Sequence, residues 1–377
     1  MMKKEEKDKM ENLPILKDLH IRITSSCNFN CPHCYAADWF NDKYELTIEE
    51  IKDLVKQAIE LGCRKVTFTG GEPLFAKDIS QAIEFCLDQN LRVEVETNGV
   101  LIENLIRNLG EKIKKVEFAV SYDGVKMREE KLANQIRDNI VKVKDLGCDV
   151  KIQTVITKIN IDEFDDIFGF SKQHNIRNRA FLAHSPNGNG KDLPLFQINE
   201  WLNIVKELKT KYPHVIVELP DVLSGGMQKK CGWGVHRCEI MPNGDVTSCA
   251  PITFNYRNYV AGNIKQENLR DIWGNDYFKE IRNLTQNDFE EPCSKCIYWK
   301  TCLGACRSIS YSTGGKLLSP HPFCKALYDY MKDDKTDKSI VPNVELAEKW
   351  IEAMVNKDFK TEDELYESIV RKQHKLI

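Results

Sequence analysis

Three cysteines stand close together in this 377-residue chain, directly after an apolar segment. Cys27, Cys31 and Cys34 follow the spacing CxxxCxxC. Three thiolates in one short loop can hold a four-iron cluster by three of its irons, which leaves the fourth iron open to an outside ligand. A structural zinc site usually closes with four protein ligands, and the nearest fourth candidate, His33, lies inside the loop. The loop therefore favours an iron-sulfur cluster that takes part in chemistry.

The segments that must position this loop predict a parallel sheet. From residue 17 to about residue 184, a strand, a loop and a helix alternate six times, which predicts an α/β fold built as a partial (β/α)6 TIM barrel. The predicted strands are Lys17–Thr24, Lys65–Thr69, Arg92–Glu96, Lys115–Ser121, Asp149–Thr157 and Arg179–His184. Thr47 and Glu50 predict a capping box for the first helix, and Gly62 predicts its end.

Unusual polar and glycine-rich sequences follow each of the first four strands. They are the cysteine loop, Thr69-Gly70-Gly71-Glu72-Pro73, Glu96-Thr97-Asn98-Gly99 and Ser121-Tyr122-Asp123-Gly124. The carboxyl ends of parallel strands form the barrel rim on which active sites are built. One such sequence could be an ordinary turn, but four in succession predict a shared site. Gly70 and Gly71 would let the backbone approach a ligand closely, beside the carboxylate of Glu72.

With Tyr35 after its last cysteine, the loop resembles the signature of radical S-adenosylmethionine (radical SAM) enzymes, and the other three rim sequences are similar to segments of that family. The resemblance implies that SAM chelates the open iron through its amino and carboxylate groups. It also implies that an electron from the cluster breaks the sulfonium bond and releases a 5'-deoxyadenosyl radical. The implied cofactor contacts are Tyr35, Gly70, Gly71, Glu72, Asn98 and Ser121. Asn98 and Ser121 could instead stabilise turns.

A second group of cysteines occupies the C-terminal third of the chain. Its members are Cys231, Cys238, Cys249, Cys293, Cys296, Cys302, Cys306 and Cys324. The pair Asn243-Gly244 between apolar residues predicts a tight hairpin, which brings the cysteines on its two sides together. Eight thiols suit two four-cysteine clusters. Spacing alone leaves zinc open, because zinc ribbons also use paired CxxC units.

This part of the chain resembles the SPASM extension of radical SAM enzymes, which carries two auxiliary four-iron clusters, so that the whole resemblance runs over about residues 15–328. It implies an inner cluster held by Cys231, Cys238, Cys249 and Cys306, and an outer cluster held by Cys293, Cys296, Cys302 and Cys324. Cys238 is absent from many SPASM domains but has a counterpart in the sulfatase-maturing members. If it is a ligand, the inner cluster is fully coordinated, which favours electron transfer.

The three cysteines outside both groups, Cys63, Cys86 and Cys148, are predicted to pack in the core. Fourteen cysteines without a secretion signal predict a reducing compartment and metal ligation, so we expect a cytoplasmic location. The net charge of -3 gives no reason to expect a nucleic acid partner. No segment approaches the roughly 20 apolar residues of a membrane span.

Four parts are predicted along the chain. They are a charged tail over 1–15, the radical SAM barrel over 16–220, the SPASM domain over 221–330 and a helical extension over 331–377. The run Ser224-Gly225-Gly226 marks the second boundary. A charged sequence, Lys332–Lys338, opens the extension, whose helices either cover the body of the protein or bind a substrate or partner.

The resemblance implies an enzyme that modifies a ribosomally made peptide, because most SPASM enzymes do so and a partial barrel leaves a side opening for a large substrate. The alternative is oxidation or carbon-carbon chemistry on a small molecule, such as a haem precursor, a cofactor precursor or an aminoglycoside. Sulfatase maturation is disfavoured, since an aspartate in that subgroup follows the cysteine that matches Cys249, and here Ala250 does. A zinc or iron-sulfur module without catalysis would lack the rim sequences.

Partners follow from the same interpretation. A reductant such as flavodoxin or ferredoxin would supply the electron. The residues ahead of the barrel are too few for a leader-recognition domain, so we expect the substrate to be recognised by the barrel mouth, by the C-terminal helices or by a separate protein. No catalytic acid or base is assigned from the sequence.

Overall fold

The structure is a computed structural model that describes residues 13–39, 42–183, 188–194, 196, 198–218, 232–255, 259–296 and 299–332. Two compact units make up the chain. The first comprises Met1–Leu193 and Gly232–Asn283, and the second Pro194–Cys231 and Leu284–Ile377. Most of the predicted tail over 1–15, the predicted boundary at residue 220, Cys231 and nearly all of the predicted extension over 331–377 lie outside the described residues.

Strands and helices alternate regularly over the first half of the chain. The strands are β1 Asp18–Thr24, β2 Lys65–Gly70, β3 Arg92–Thr97, β4 Val116–Ser121, β5 Asp149–Ile156, β6 Arg177–Leu182, β7 Val215–Val217, β8 Arg237–Ile240, β9 Asp245–Thr247 and β10 Gly262–Asn263. The helices are α1 Ile48–Glu60, α2 Ile79–Asp88, α3 Ile102–Leu109, α4 Glu130–Asp145, α5 Phe164–Gln173, α6 Ile198–Lys211, α7 Ala250–Asn255, α8 Leu269–Trp273, α9 Asp276–Asn283, α10 Trp299–Cys302, α11 Arg307–Gly314 and α12 Pro322–Lys332. No helix in the ranges given above is long and apolar enough to cross a membrane.

The strands of the first unit form one sheet in the order β10-β9-β8-β1-β2-β3-β4-β5-β6. Neighbouring strands from β8 through β6 pair in parallel, whereas β8, β9 and β10 pair antiparallel. A helix follows each of β1 to β5, and the chain leaves β6 toward α6. The predicted α/β fold with a partial (β/α)6 barrel is therefore confirmed, and the six predicted strands differ from the observed ones by at most two residues at an end.

Side chains alternate along these strands between an apolar side and a polar side. Ile21 and Ile23 of β1 are fully buried, as expected for the side that the helices cover. On the other side, Glu94 of β3 accepts hydrogen bonds from Lys65 of β2 at 3.1 Å and from Lys151 of β5 at 2.8 Å. A side chain on β3 reaches β5, two strands away, only across the concave interior of a curved sheet, so the barrel interior is charged.

The local signals at the first helix and at the hairpin are both present. The Thr47 hydroxyl accepts from the backbone N–H of Glu50, whose carboxylate accepts from the backbone N–H of Thr47, as the capping box predicts. In the turn between β8 and β9, the backbone N–H of Gly244 donates to the carbonyl of Met241 at 2.9 Å. Gly244 takes a φ of 94° there, a value that glycine adopts without strain.

The second unit is mainly helical where it is described. Trp201 of α6 is 1% exposed and stacks on Phe323 of α12, with the ring centroids 6.1 Å apart. Short helices carry the paired cysteines of this unit, from a single 3₁₀ turn at Cys293–Lys295 to α10 and α11. The described cysteines of this unit lie near the points where its helices begin or end.

Candidate functional site

The cysteine loop lies between β1 and a short 3₁₀ turn, Ala37–Trp39. Cys27, Cys31 and Cys34 are each half-buried. Burial raises the pKa of the Cys27 thiol to about 11 and that of Cys34 to about 12. Such thiols are protonated at neutral pH, so iron that binds them would release their protons.

Gly188 and Asn189, which follow β6 in the chain, contact the cysteine loop. The backbone N–H of Asn189 donates to the carbonyl of Cys34 at 3.0 Å, and its side-chain amide donates to the carbonyl of Cys31 at 2.9 Å. At Gly188, a Cβ atom would lie 2.3 Å from the carbonyl oxygen of Cys34. Two of the three cysteines are therefore held in place by contacts from the sixth strand's loop.

Gly70 and Gly71 pack directly against the start of the cysteine loop. A Cβ atom at Gly70 would lie 2.5 Å from the carbonyl oxygen of Thr24, and one at Gly71 would lie 2.2 Å from that of Ser26. The backbone N–H of Gly71 donates to Thr24 at 2.8 Å, and that of Glu72 donates to Ser26 at 2.9 Å. Glycine is needed at both positions because the backbone of this motif contacts the backbone of Thr24–Ser26, which leaves no room for a Cβ atom. Ser26 directly precedes Cys27.

The Glu72 carboxylate, which is 1% exposed, joins the second and third rim loops. It accepts hydrogen bonds from the Thr97 hydroxyl at 2.6 Å, the Asn98 N–H at 2.7 Å and the Leu74 N–H at 3.0 Å. Burial raises the pKa of Glu72 to about 7, even though these three donors favour its ionised form. The carboxylate is thus occupied within the protein.

The remaining predicted cofactor contacts lie at different distances from the loop. The side-chain amide of Asn98 donates to the Asn28 side chain inside the loop, at 2.7 Å. Ser121 is half-buried at the end of β4, paired with Gln153 of β5. The Tyr35 hydroxyl accepts a hydrogen bond from the buried guanidinium of Arg22. Five predicted contacts lie outside the cysteine loop. Four of them, Gly70, Gly71, Glu72 and Asn98, contact that loop or the residues directly before it, and Ser121 stands one strand further along.

Arg22 also connects the cysteine loop with the second cysteine group. Its Nε lies 3.5 Å from the Glu239 carboxylate on β8, and both side chains are 8% exposed. Glu239 accepts from the backbone N–H of Ala250 at 2.9 Å, directly after Cys249 in the chain. A continuous line of polar contacts thus runs from Tyr35 to the residue beside Cys249.

Three residues in or beside the cysteine loop were given no functional role by the sequence analysis. Arg128 donates to the Cys31 sulfur at 3.4 Å and to the Asp123 carboxylate at 2.9 Å. Asp123, which is 0% exposed, also lies 3.6 Å from Nε2 of His33. Burial lowers the pKa of His33, although Asp123 acts in the opposite direction. The buried pair of Arg128 and Asp123 therefore contacts two residues of the loop, Cys31 and His33.

Two polar atoms around the loop fit a bound group. In the described part of the chain, neither the buried Nδ1 of His33 nor the buried Nε of Arg128 has a hydrogen-bond partner. Buried polar atoms without partners are rare and costly, so a group that supplies partners there, such as a cluster with SAM, suits both. Across the same residues, no three His, Cys, Asp or Glu side chains are arranged to hold a single metal ion. The ligand assignments stay predictions.

The first unit holds two of the predicted inner-cluster cysteines. Cys249 is half-buried at the end of the hairpin, and Cys238 is 0% exposed on β8, opposite Leu19 of β1. Burial, aided by the nearby Cys63 thiol, raises the pKa of Cys238. Cys238 thus lies in the core. The three cysteines predicted to pack, Cys63, Cys86 and Cys148, are also buried.

The second unit gathers the predicted outer-cluster cysteines. Burial and the thiols of Cys302, Cys293 and Cys296 raise the pKa of Cys324. Ligation of one cluster by these four cysteines stays a prediction. Arg307, which is 3% exposed, lies among them. Burial lowers the pKa of Arg307, and Cys293, Cys306, Cys302 and Cys324 act against that shift.

Arg307 is held from its other side by the backbone. It donates to the carbonyls of Leu317 at 2.8 Å and Ser319 at 3.0 Å, and it stacks on Phe289 at 5.0 Å. Its Nη2 has no partner among the described residues. A buried cation with an unpaired N–H beside four thiols suits a bound group that carries negative charge.

Comparison with known proteins agrees with this geometry. The family model of the Radical SAM superfamily matches residues 21–170, and that of the SPASM iron-sulfur cluster-binding domain matches residues 231–297. GTP 3',8-cyclase of Aquifex aeolicus is 30% identical over 308 residues, which are 72% of this chain and 94% of that protein. The chain belongs to the radical SAM superfamily. Radical SAM and SPASM domains bind four-iron clusters and SAM, and the predicted family is confirmed.

Other relatives are named for different activities. AdoMet-dependent heme synthase of Methanosarcina barkeri is 27% identical, over 84% of this chain and 97% of that protein. Mycofactocin maturase MftC of Mycolicibacterium smegmatis is 25% identical, over 80% of this chain and 81% of that protein. Among solved structures, SuiB of Streptococcus suis bound to precursor peptide SuiA has a TM-score of 0.68 at 19% identity, over 85% of this chain and 78% of that one. The last likeness confirms the fold.

Cys238 is either a ligand of the predicted inner cluster or a packing residue of the core. Since Cys238 is predicted to hold the inner cluster, we expect Cys238→Ala to lose about four irons per chain while SAM is still cleaved at the cysteine loop. Iron analysis after anaerobic reconstitution, with urea unfolding, checks this. An unchanged iron content, with a loss of about 1 kcal/mol of stability, would instead show that the buried Cys238 thiol only packs in the core.

Proposed function

We propose that this chain is a radical SAM oxidoreductase that modifies a ribosomally made peptide. The observation that carries the choice of substrate is the likeness in fold, over 85% of this chain, to SuiB, whose structure contains its precursor peptide. The name of the relative MftC, a maturase, agrees with it. A curved sheet with charged residues on its concave side, among them Glu94 and Lys151, suits a polar substrate such as a peptide.

In this proposal, Cys27, Cys31 and Cys34 hold a four-iron cluster with one open iron. The backbone of Gly70–Glu72, with Tyr35, Asn98 and Ser121, would contact SAM. When bound, the cluster and SAM together supply the electron and the 5'-deoxyadenosyl radical that removes a hydrogen atom from the substrate. The protein's own task is to fix the rim loops and to exclude water. Glu72 contributes by joining two of those loops through three hydrogen bonds.

The SPASM cysteines are proposed to hold two auxiliary four-iron clusters, with Cys231, Cys238, Cys249 and Cys306 at the inner one and Cys293, Cys296, Cys302 and Cys324 at the outer one. Three clusters correspond to about twelve irons per chain. The buried Arg307 among the outer cysteines supports a negatively charged group there. The polar contacts from Tyr35 through Arg22 and Glu239 support a connection between the barrel site and the SPASM region.

A second candidate is chemistry on a small molecule of the haem-precursor type. The heme synthase of M. barkeri matches 84% of this chain at 27% identity, a little more than MftC does. Sulfatase maturation remains disfavoured, because buried Ala250 stands where the aspartate of that subgroup would be.

The proposed partners are the peptide, a reductant such as flavodoxin or ferredoxin, and a separate leader-recognition protein. Low-potential clusters and many free thiols require a reducing compartment, so we propose a cytoplasmic location. Neither a nucleic acid nor a membrane is part of the proposal.

The proposal is tested by co-expressing the full-length protein with a short peptide encoded beside its gene. We expect mass spectrometry to detect a changed peptide mass with the wild-type enzyme and an unchanged mass with Cys34→Ala. In parallel, the purified enzyme is incubated with iron coproporphyrin, SAM and a strong reductant under anaerobic conditions. Conversion of the porphyrin, with no change in the peptide, would favour the second candidate. A colourless protein that forms no 5'-deoxyadenosine would refute both.

A further inference from the structure

The buried guanidinium of Arg128 donates a hydrogen bond to a sulfur of the cysteine loop. Arg128 stands two residues before the start of α4 and lies 97 residues from Cys31 in the chain. Its Nη1 donates to the Cys31 sulfur at 3.4 Å, and the side chain is 4% exposed. The centre of its guanidinium lies 4.8 Å from the ring of Phe29, which is also in the loop. A positive charge is therefore fixed against the loop and shielded from solvent.

The position of Arg128 is determined by its carboxylate partner. One oxygen of Asp123 accepts from Arg128 at 2.9 Å, and the other accepts from the backbone N–H of Val155 on β5 at 2.8 Å. Asp123 is thereby tied to the barrel, and it is 0% exposed. The N–H at Nε of Arg128 has no partner among the residues that the structure describes. The guanidinium thus has an unused donor beside the thiols.

Such an arrangement has an electrostatic consequence for a cluster in the loop. Reduction adds one negative charge to a group that already carries thiolates and sulfides. A buried cation stabilises the reduced state more than the oxidised state, because little solvent screens the interaction. Hydrogen bonds to cluster sulfurs and the net charge around a cluster are two of the factors that set its potential.

We propose that Arg128 raises the reduction potential of the cluster held by Cys27, Cys31 and Cys34, and that Asp123 moderates this effect by offsetting part of the arginine's charge. The inference rests on the proposed function, since it requires a cluster in this loop. It means that the pair sets how strong an electron donor the enzyme needs before SAM can be cleaved. The spacing of the cysteines does not predict this effect on the reduction potential.

The potentials of full-length variants test the proposal. Wild type, Arg128→Gln, Asp123→Asn and the control Arg137→Gln are reconstituted anaerobically and titrated with redox mediators. The cluster is followed by electron paramagnetic resonance through the signal that changes when SAM is added, which separates it from auxiliary clusters. Arg137 is a matched control because it also pairs with a carboxylate, Asp166 at 3.0 Å, and stacks on a ring, Phe170 at 4.7 Å, but on α4 rather than at the loop.

We expect Arg128→Gln to shift the one-electron reduction equilibrium at least tenfold toward the oxidised cluster, which lowers the potential by 59 mV or more. Asp123→Asn keeps the shape of the side chain and should shift the equilibrium in the opposite direction. Arg137→Gln should match the wild type. SAM cleavage by Arg128→Gln should fall about tenfold with a weak donor such as flavodoxin and recover with titanium(III) citrate.

Several outcomes would overturn the proposal. One is an Arg128→Gln enzyme that holds its cluster at the wild-type potential, since the arginine would then be only structural. Another is an Asp123→Asn potential below that of the wild type. If Arg128→Gln fails to retain iron, the Asp123→Asn variant tests the proposal instead. A raised reduction potential supports it, and a lowered one overturns it. A wild-type protein without a SAM-responsive cluster would overturn the proposed function as well, whereas an unshifted potential in an active enzyme would overturn only the role of Arg128.

Discussion

Replacing Cys34 with alanine should abolish the formation of 5'-deoxyadenosine from SAM. The predicted cluster has only three protein ligands, so loss of one thiolate leaves two, and the cluster is not retained. Two backbone hydrogen bonds hold this residue in place. The N–H of Asn189 donates to the Cys34 carbonyl, and the N–H of Cys34 donates to the Cys31 carbonyl. The alanine should therefore remove the ligand without displacing the loop. Iron per chain should fall by about four, and chromatographic detection of 5'-deoxyadenosine measures the loss of turnover.

The matched control for this change is Cys148→Ala. Cys148 is 7% exposed, and its thiol donates to the carbonyl of Ile113 at 3.4 Å, away from both cysteine groups. We expect the control to retain its iron and its turnover and to lose about 1 kcal/mol of stability. Turnover that persists in Cys34→Ala, or an equal loss of iron in both variants, would contradict the assignment of the three cysteines.

Replacing Gly71 with alanine should damage the same site without removing a ligand. The new Cβ would stand 2.2 Å from the carbonyl oxygen of Ser26, and both partners are backbone, so the cysteine loop has to move. Overpacking of this kind costs about 2 kcal/mol. A displacement of about 1 Å at the reacting groups can lower a rate about a hundredfold, and Ser26 is adjacent to Cys27. We therefore expect SAM cleavage to fall by about that factor.

Gly169→Ala separates this effect from a general sensitivity to added methyl groups. Gly169 lies within α5, and a Cβ atom there would have no other atom within 4 Å. Alanine should raise the stability by about 0.5 kcal/mol, because it suits a helix better than glycine. Isothermal titration with SAM, together with the cleavage rate, measures both variants. A Gly71→Ala enzyme with the wild-type rate would refute the close packing of the two rim loops as a requirement for function.

The sequence identifies some of the features behind these variants more completely than others. The CxxxCxxC spacing alone identifies Cys34 as a ligand candidate. The glycine pair at residues 70 and 71 also stands out, and the sequence predicts that it lets the backbone approach a ligand. The atoms that touch these glycines belong to Thr24 and Ser26, so a contact between two neighbouring strands' loops explains the glycines directly. That contact arises from the parallel pairing of β1 with β2.

Cys238 illustrates a property that spacing cannot settle. The spacing groups it with Cys249, because the hairpin at Asn243-Gly244 brings the flanking strands together. In the structure β8 also pairs with β1, and Cys238 packs in the core near Cys63. Side chains alternate between the two faces of a strand, and which face meets the core depends on the neighbouring elements. The residue types around Cys238 do not specify that choice.

By itself, the sequence determined the alternation of strands and helices, the capping box at Thr47, the hairpin turn and the position of the cysteine loop at the end of β1. These features follow from hydrophobic periods, capping residues and glycine positions, all of which act over a few residues. Only the tertiary structure decided that Arg128 contacts Cys31, that Asn189 braces the loop and that Glu72 joins Thr97 and Asn98. Such contacts join residues 25 to 158 positions apart. They depend on strand order and on the curvature of the sheet, which place the rim loops side by side, and no local pattern carries that information.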